Sequence, residues 1–404
     1  MSDEGERRGL GFGTRALRAA TTAPRVDQTP DSVPIYQAVT YSAESAAELA
    51  DVLGDTIPGY AYSRIDSPTA SALAATLAEI EGAEAAYVFA SGMAAVHATF
   101  VSLLKQGDHV VAARQIYGSV QHLLDKILPR FGIETTFVDA TDPDAVDAAI
   151  RPNTRLLHVE TIANPTIVVA DLAALIALGH RRGLTVSVDN TFASPWLCRP
   201  VELGADLVIE ALTKWIGGHS DVLAGGVSGR KDLIAAIRRV QIDTGGTIAP
   251  QSAFLVLRGI ETLHVRMERH SASALAVARH LEASGLQTVS YPGLQSHPQF
   301  AVAQRQLRAG GGMMAFELAD RATAERFLDA LTLPPRTASL GSVRTIAVHP
   351  PSSTHRQMDS AGLAAIGIPA GLVRVSVGLE EIDDLIADFD QALVAARTTV
   401  GATA

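Results

Sequence analysis

Thr185-Val186-Ser187-Val188-Asp189-Asn190, followed by Asp206-Leu207-Val208-Ile209-Glu210-Ala211-Leu212-Thr213-Lys214, is the stretch that decides the fold. Each part is a short apolar run that ends abruptly on polar or charged groups. Runs of the same kind occur upstream at His109-Val110-Val111-Ala112, Thr135-Thr136-Phe137-Val138 and Leu156-Leu157-His158-Val159. Ala- and Leu-rich stretches such as Leu73 to Ile80 and Leu172 to Leu178 lie between them with helical patterning. Continuous apolar strands separated by helices predict an α/β domain with a mostly parallel sheet covered on both faces. In such sheets a ligand lies beyond the carboxyl ends of the strands. His158-Val159-Glu160, Val188-Asp189-Asn190 and Glu210 to Lys214 place polar residues at that edge.

The flanking regions read differently. Residues 1–66 are rich in Pro, Thr, Ser and Tyr, and Pro30, Pro34 and Pro58 interrupt any long helix, which predicts an extended arm lying on a neighbouring subunit. After about residue 265 the pattern predicts a helix over Arg266 to Ala283, a strand over Met313 to Leu318 and a helix from Ala322 to Leu331. A strand over Leu372 to Val377 and a closing helix from Ile382 to Ala396 follow. The expected division is therefore an arm (1–66), the α/β domain (67–264) and a smaller α+β C-terminal domain (265–404).

The 404 residues are 47% hydrophobic, enough for a large core. A formal net charge of -10 with no basic run argues against nucleic-acid binding, which depends on clustered lysine and arginine. The lone Cys198 forms no internal disulfide and fits a reducing compartment. No secretory signal is read at the start, and no apolar stretch approaches a membrane span, so a cytoplasmic protein is expected.

A lysine at the end of a buried strand is penalised unless it is paired or neutral, and an aspartate in the neighbouring position is equally penalised without a cation. Lys214 and Asp189 together suit pyridoxal phosphate: a Schiff base neutralises the lysine, and a protonated ring nitrogen meets the aspartate. Ser91-Gly92-Met93-Ala94-Ala95 opens an apolar helix, an ordinary helix start that can also cradle a phosphate on exposed N–H groups. Thr213 can add a hydroxyl. Tyr117 follows a strand, where its ring serves either packing or stacking on a cofactor. Arg374 sits inside the apolar strand Leu372 to Ser376; an internal salt bridge and a substrate carboxylate explain it equally on local grounds. His158 with Glu160, and His219 with Asp221, are too sparse for a metal site. The Gly9, Gly11, Gly13 run mimics a dinucleotide fingerprint but lacks a preceding strand, which argues against a nicotinamide-dependent oxidoreductase. A non-catalytic scaffold has no use for both Lys214 and Asp189.

These residues, in order, resemble the Cys/Met metabolism group of pyridoxal-phosphate enzymes, which includes cystathionine γ-lyase, cystathionine γ-synthase, methionine γ-lyase and the O-acylhomoserine sulfhydrylases. The resemblance is carried by Gly11 to Ala16, Pro34-Ile35-Tyr36-Gln37, Tyr62-Ser63-Arg64, Phe89 to Ala95 and Val188 to Ala193. It continues through Thr213 to Val222, Tyr291-Pro292-Gly293-Leu294, Ser339-Leu340-Gly341 and Arg374 to Gly378. It implies the aspartate-aminotransferase-like (type I) fold and a homotetramer built as a dimer of dimers. It also implies Lys214 as the cofactor-binding lysine, Asp189 as partner of the ring nitrogen and Tyr117 as the stacking residue and proton donor to the leaving sulfur. Gly92, Met93 and Thr213 are implied to hold the phosphate, with Tyr62 and Arg64 reaching it from the adjacent subunit. Arg374 then binds the substrate carboxylate, with Asn164 and Ser339 positioning the substrate and Lys214.

The chemistry implied is γ-elimination on a sulfur amino acid, giving 2-oxobutyrate, ammonia and a thiol, or else γ-replacement. Cystathionine users of this group tend to carry a glutamate just before Ser-Leu-Gly, where this chain has Ala338. Ala61 and His122 also leave out expected charges, which favours a methyl thioether, although Ser119 stands where methionine lyases often have cysteine. Ala211 replaces a serine that usually bonds the phosphate. A hydrogen bond to a charged group contributes about 1.5–3 kcal/mol, so weaker cofactor retention is expected unless another donor compensates. Ser67-Pro68-Thr69 replaces the usual Asn-Pro-Thr, and nothing in the sequence explains Arg344, which replaces a common glutamate.

Overall fold

The computed structural model describes residues 11–20, 28–286, 288–356 and 358–397. Residues 1–34 form a unit of their own, whose described part holds a helix at Phe12–Ala20. Of the early glycine run, Gly9 lies outside the described residues. All that follows concerns the second unit, residues 35–404.

In chain order its strands are β1 (Ala85–Phe89), β2 (His109–Ala113), β3 (Glu134–Val138), β4 (Thr154–Glu160), β5 (Thr185–Asp189), β6 (Leu207–Glu210) and β7 (Gly225–Gly229). β8 (Val289–Ser290), β9 (Met313–Glu317), β10 (Ile346–Val348) and β11 (Leu372–Ser376) complete the set. The first seven form one sheet in the order β1-β7-β6-β5-β4-β2-β3, and the other four form a second sheet in the order β10-β11-β9-β8. Pairs from β3 through β6 are parallel, whereas β7 runs antiparallel to both β1 and β6. The second sheet is antiparallel throughout. This is the expected fold class: a mostly parallel sheet layered between helices, plus a smaller antiparallel sheet with helices of its own.

Local chemistry explains the element boundaries. The helix Pro68–Glu81 starts on Ser67, whose hydroxyl accepts the N–H of Ala70, with Pro68 in the first turn, and it stops on Gly82 in the left-handed region. β2 is buried along its whole length, as a strand covered on both faces must be. The C-terminal strands and helices fall within a few residues of expectation: the helix Leu263–Ala283 begins slightly earlier, and β9 and β11 each stop one residue sooner. The expected arm is not extended throughout. Ser45 caps a helix at Ala46–Leu53, and Thr40 bridges to Tyr62. Ile35, Tyr36, Val39, Leu49, Leu53 and Tyr60 in this region are exposed apolar or aromatic side chains.

Two cores result. One packs the large sheet, and the other holds Phe316, Phe327 and Phe389 in edge-on contact beneath the small sheet. The helix Leu263–Ala283 serves both: Leu263 and Met267 lie in the first core, while Ala274, Val277 and Leu281 lie in the second. The division expected near residue 265 falls in its first turn. β4, β5 and β6 end side by side, with Glu160 opposite Asp189 and Asp189 opposite Ile209, so Glu160, Asp189 and Glu210 crown one edge of the sheet. Lys214 follows directly.

Candidate active site

Lys214 lies in a tight turn after β6, in which Gly217 N–H reaches Leu212 and Gly218 N–H reaches the Lys214 carbonyl. Its Nζ donates to Ser339 Oγ at 2.8 Å. Burial, reinforced by the charge of Arg374, brings the ammonium down to about 8, so a neutral amine is accessible close to physiological pH. Ser339 has φ of 113°, a conformation unfavourable for a side chain other than hydrogen and one that tends to persist where surrounding bonds over-determine it. Here its carbonyl accepts Arg374 Nη2 at 2.7 Å while its hydroxyl meets the lysine.

Of the acidic edge, Glu160 and Asp189 face the same cavity of about 370 Å³. Asp189 accepts the Thr191 N–H at 3.0 Å and has no cationic partner among the described residues; burial raises its carboxyl above the ordinary aspartate range. An anion in that setting fits a protonated pyridine nitrogen. The sequence placed Glu160 at the ligand edge and weighed it only as a metal partner of His158. Its Oε1 accepts the Tyr117 N–H at 2.6 Å and its Oε2 the Asn164 N–H at 3.2 Å. Burial, together with the charge of Asp189, pushes its carboxyl well above the usual glutamate range. One carboxyl group thus fixes two cavity residues from separate loops.

At the other end, the Ser91 hydroxyl accepts Ala94 N–H at 3.1 Å and starts the helix Gly92–Leu103, so the first N–H groups at Gly92 and Met93 remain available to an anion. A Cβ at residue 92 would lie 2.9 Å from the Ala211 methyl, so only glycine fits between the helix start and the lysine turn. Thr213 also lines the cavity, but its hydroxyl is engaged, donating to the Ala224 carbonyl at 3.1 Å and accepting Ala224 N–H at 3.0 Å. The Tyr117 ring is partly exposed at the cavity.

Arg374 is 3% exposed. Nη1 donates to Asn164 Oδ1 at 2.8 Å, Nη2 donates to the Ser339 carbonyl, and Nε has no partner. No carboxylate pairs with it among the described residues, so the internal salt bridge left open by the sequence does not form. Burial lowers the guanidinium to about 10. A buried cation bonded only to neutral oxygens, with one N–H unmet, can receive a carboxylate.

Lys214, Asp189, Tyr117, Gly92, Met93, Thr213, Arg374, Asn164, Ser339 and Ala338 all line this one cavity. Tyr62 and Arg64 do not. Arg64 Nη1 donates to the Ile242 carbonyl, and its guanidinium lies 5.7 Å from the Tyr62 ring centroid. Ala61 and His122 are likewise absent from the lining. Of the histidines considered for metal, His158 Nδ1 meets Ser187 Oγ at 2.9 Å within the core, with Nε2 unpartnered, and His219 Nδ1 meets the Gly217 carbonyl at 2.8 Å. No group of three metal-ligating side chains converges among the described residues.

The geometry has counterparts. A family model described as Cys/Met metabolism PLP-dependent enzyme matches residues 13–394. An L-methionine γ-lyase of Pseudomonas putida is 41% identical over 389 residues, spanning 95% of this chain and 98% of its own. A cystathionine γ-lyase of Bacillus subtilis is 40% identical over 364 residues, spanning 90% and 94%. Among solved structures, a Campylobacter jejuni protein assigned as an O-acetylhomoserine (thiol)-lyase superposes with a TM-score of 0.89 at 32% identity, covering 92% of this chain and 97% of its own. That structure carries N'-pyridoxyl-lysine-5'-monophosphate.

Proposed function

The chain belongs to the Cys/Met metabolism family of pyridoxal-phosphate-dependent enzymes, and from that premise we propose that it acts by γ-elimination on a sulfur amino acid with an uncharged thioether, methionine or a short S-alkyl homocysteine, giving 2-oxobutyrate, ammonia and a thiol. The observation that carries this reading is the cavity lining. Its charged side chains among the described residues are Glu160, Asp189, Lys214 and Arg374, each already matched to cofactor, substrate carboxylate or local bonding. The remainder includes Val96, Val120, Ile162, Leu223, Leu340 and Ala338, which offer no partner for the second amino-acid head of cystathionine.

In this reading Lys214 would hold pyridoxal phosphate, Asp189 would meet its ring nitrogen, Tyr117 would stack on its ring, and Gly92, Met93 and Thr213 would receive its phosphate. The Thr213 hydroxyl would exchange its bond to Ala224 for one to the phosphate. The bound cofactor supplies an electron-accepting ring that makes the substrate α-proton removable. Arg374 and Asn164 fix the substrate carboxylate. Lys214, neutral above about 8 and aimed by Ser339, would take a proton from Cα and then one from Cβ, whose electrons let the Cγ–S bond break, and Tyr117 would deliver a proton to the departing sulfur.

The test is 2-oxobutyrate release with methionine as sole substrate, which separates elimination from a replacement that needs a second thiol. Methionine should show the higher kcat/KM, and Ala338→Glu should move the methionine-to-cystathionine ratio by about tenfold or more towards cystathionine, because a carboxylate left unpaired beside a methyl thioether is unfavourable. A wild-type preference for cystathionine, unchanged by the substitution, would remove this basis for specificity.

We further propose a cytoplasmic homotetramer built from two dimers, in which Tyr62 and Arg64 serve the neighbouring subunit's phosphate. The support is their absence from the lining of their own chain's cavity and the exposed apolar side chains of residues 35–60. No described helix is long and apolar enough to cross a membrane. Mixing inactive Arg64→Ala subunits with inactive Lys214→Ala subunits should restore about a quarter of wild-type activity through hybrid sites, if exchange is random and site sharing holds. Demonstrated subunit exchange with no recovery would count against sharing.

A further inference from the structure

We propose that Arg266 is a positioning residue for Lys214, holding the lysine turn in the register that brings Nζ to Ser339. Arg266 lies on the helix Leu263–Ala283 and is 4% exposed, yet no carboxylate pairs with it among the described residues. Its Nη1 donates to the Trp215 carbonyl at 2.6 Å, Nη2 to the Ile216 carbonyl at 3.2 Å and the Gly259 carbonyl at 2.6 Å, and Nε to Thr262 Oγ1 at 3.1 Å.

The identity of those carbonyls explains how a bare buried cation is tolerated. Trp215 and Ile216 end the turn that begins around Lys214, and Gly259 lies in the last turn of the helix Pro250–Glu261. Carbonyls at the end of a helical turn carry partial negative charge, and that of Gly259 also accepts the Thr262 N–H at 3.4 Å. The counter-charge of Arg266 is therefore shared between two backbone ends, one of which carries the lysine. Gly218, at φ of 76°, closes the seat: a Cβ there would lie 2.2 Å from Arg266 Nη1.

The same turn is tied onward. Gly218 N–H donates to the Lys214 carbonyl at 2.7 Å, and Val343 N–H donates to the Gly218 carbonyl at 2.9 Å, which connects the turn to the segment carrying Ser339. Arg266 thus anchors the lysine turn to the helix shared by both cores, and through it to the Ser339 side of the cavity. A lysine at 266 keeps the charge but loses the planar fork that spans three carbonyls. A displacement of about 1 Å at a reacting group lowers rates by roughly a hundredfold.

The inference rests on Lys214 being the cofactor-holding base, a reading tested separately with Lys214→Ala. Here Arg266→Met, Arg266→Lys and Thr262→Val are compared as holoenzymes for kcat per cofactor-loaded site, KM for methionine, melting temperature and the pH midpoint of the cofactor absorption band. In Arg266→Met, kcat per site should fall by about a hundredfold with KM changed by less than about threefold, and the pH midpoint should move. Arg266→Lys should recover part of both. If Arg266→Met folds with a lower melting temperature but wild-type kcat and midpoint, Arg266 is only a brace and the proposal is overturned. If it does not fold, Thr262→Val decides: a smaller loss of kcat with a moved midpoint supports positioning, and wild-type values for both reject it.

Discussion

Replacing Lys214 with alanine is expected to lower turnover by about a thousandfold or more, since both cofactor anchorage and a general base are removed together. The absorption of the lysine-bound cofactor in the visible violet should disappear as well. Borohydride should then fail to fix cofactor to the protein; retention of a reducible linkage in Lys214→Ala would refute the assignment. A pH effect accompanies it. Because burial and Arg374 hold the Lys214 ammonium at about 8 rather than 10.5, the reactive neutral amine grows as pH rises through 8. Cofactor capture by apoprotein should accelerate over that interval in wild type. Lys214→Ala should show no such acceleration.

The second large effect is expected at Arg374. Arg374→Leu removes the carboxylate seat and also leaves the Asn164 side-chain oxygen and the Ser339 carbonyl without their donor. Loss of one partner from a buried charge-assisted contact costs about 2–5 kcal/mol, so kcat/KM for methionine should drop by roughly a hundredfold or more. Part of the loss should appear in kcat, because Ser339 also aims Lys214. Arg374→Lys should not restore the wild-type value, since an ammonium cannot bridge Asn164, Ser339 and a carboxylate in one plane. The deciding comparison is an amine substrate without the carboxylate, which should discriminate far less between wild type and variant. Equal losses with both substrates would assign Arg374 a purely structural role.

The sequence made the central strands legible because strands buried on both faces are plain apolar runs, and β2, β4, β5 and β6 are of that kind. β7 was not legible. Gly225, Gly226 and Gly229 erase its hydrophobic signal, and Gly225 is there to let the Ser91 backbone pass, a requirement set by another part of the chain. At the site, Lys214 and Asp189 stood out because each is intolerable at a strand end without a partner. Arg374 stood out for the same reason, but whether it meets an internal acid or a ligand depends on what faces it from Asn164, far away in sequence. Glu160 was visible as a polar residue at the strand edge and as a metal pair with His158 that was set aside; that it fixes Tyr117 and Asn164 is decided by two loops whose paths no local pattern specifies. The family resemblance singled out Tyr62 and Arg64, yet within one chain the Arg64 guanidinium is turned to the Ile242 carbonyl and neither residue lines the cavity.

The helix Leu263–Ala283 bears on how this protein can be altered as a whole. Leu263 and Met267 belong to one core and Ala274, Val277 and Leu281 to the other, so the chain has no clean seam at residue 265. A fragment ending there would lose the wall formed by Met267, and a fragment beginning there would expose Met267 as a bare apolar surface. Recombination with a related chain preserves both interiors only when the whole helix travels with the packing of each sheet. Modularity is therefore a poor guide to this molecule: the part most easily mistaken for a connector is common property of both halves.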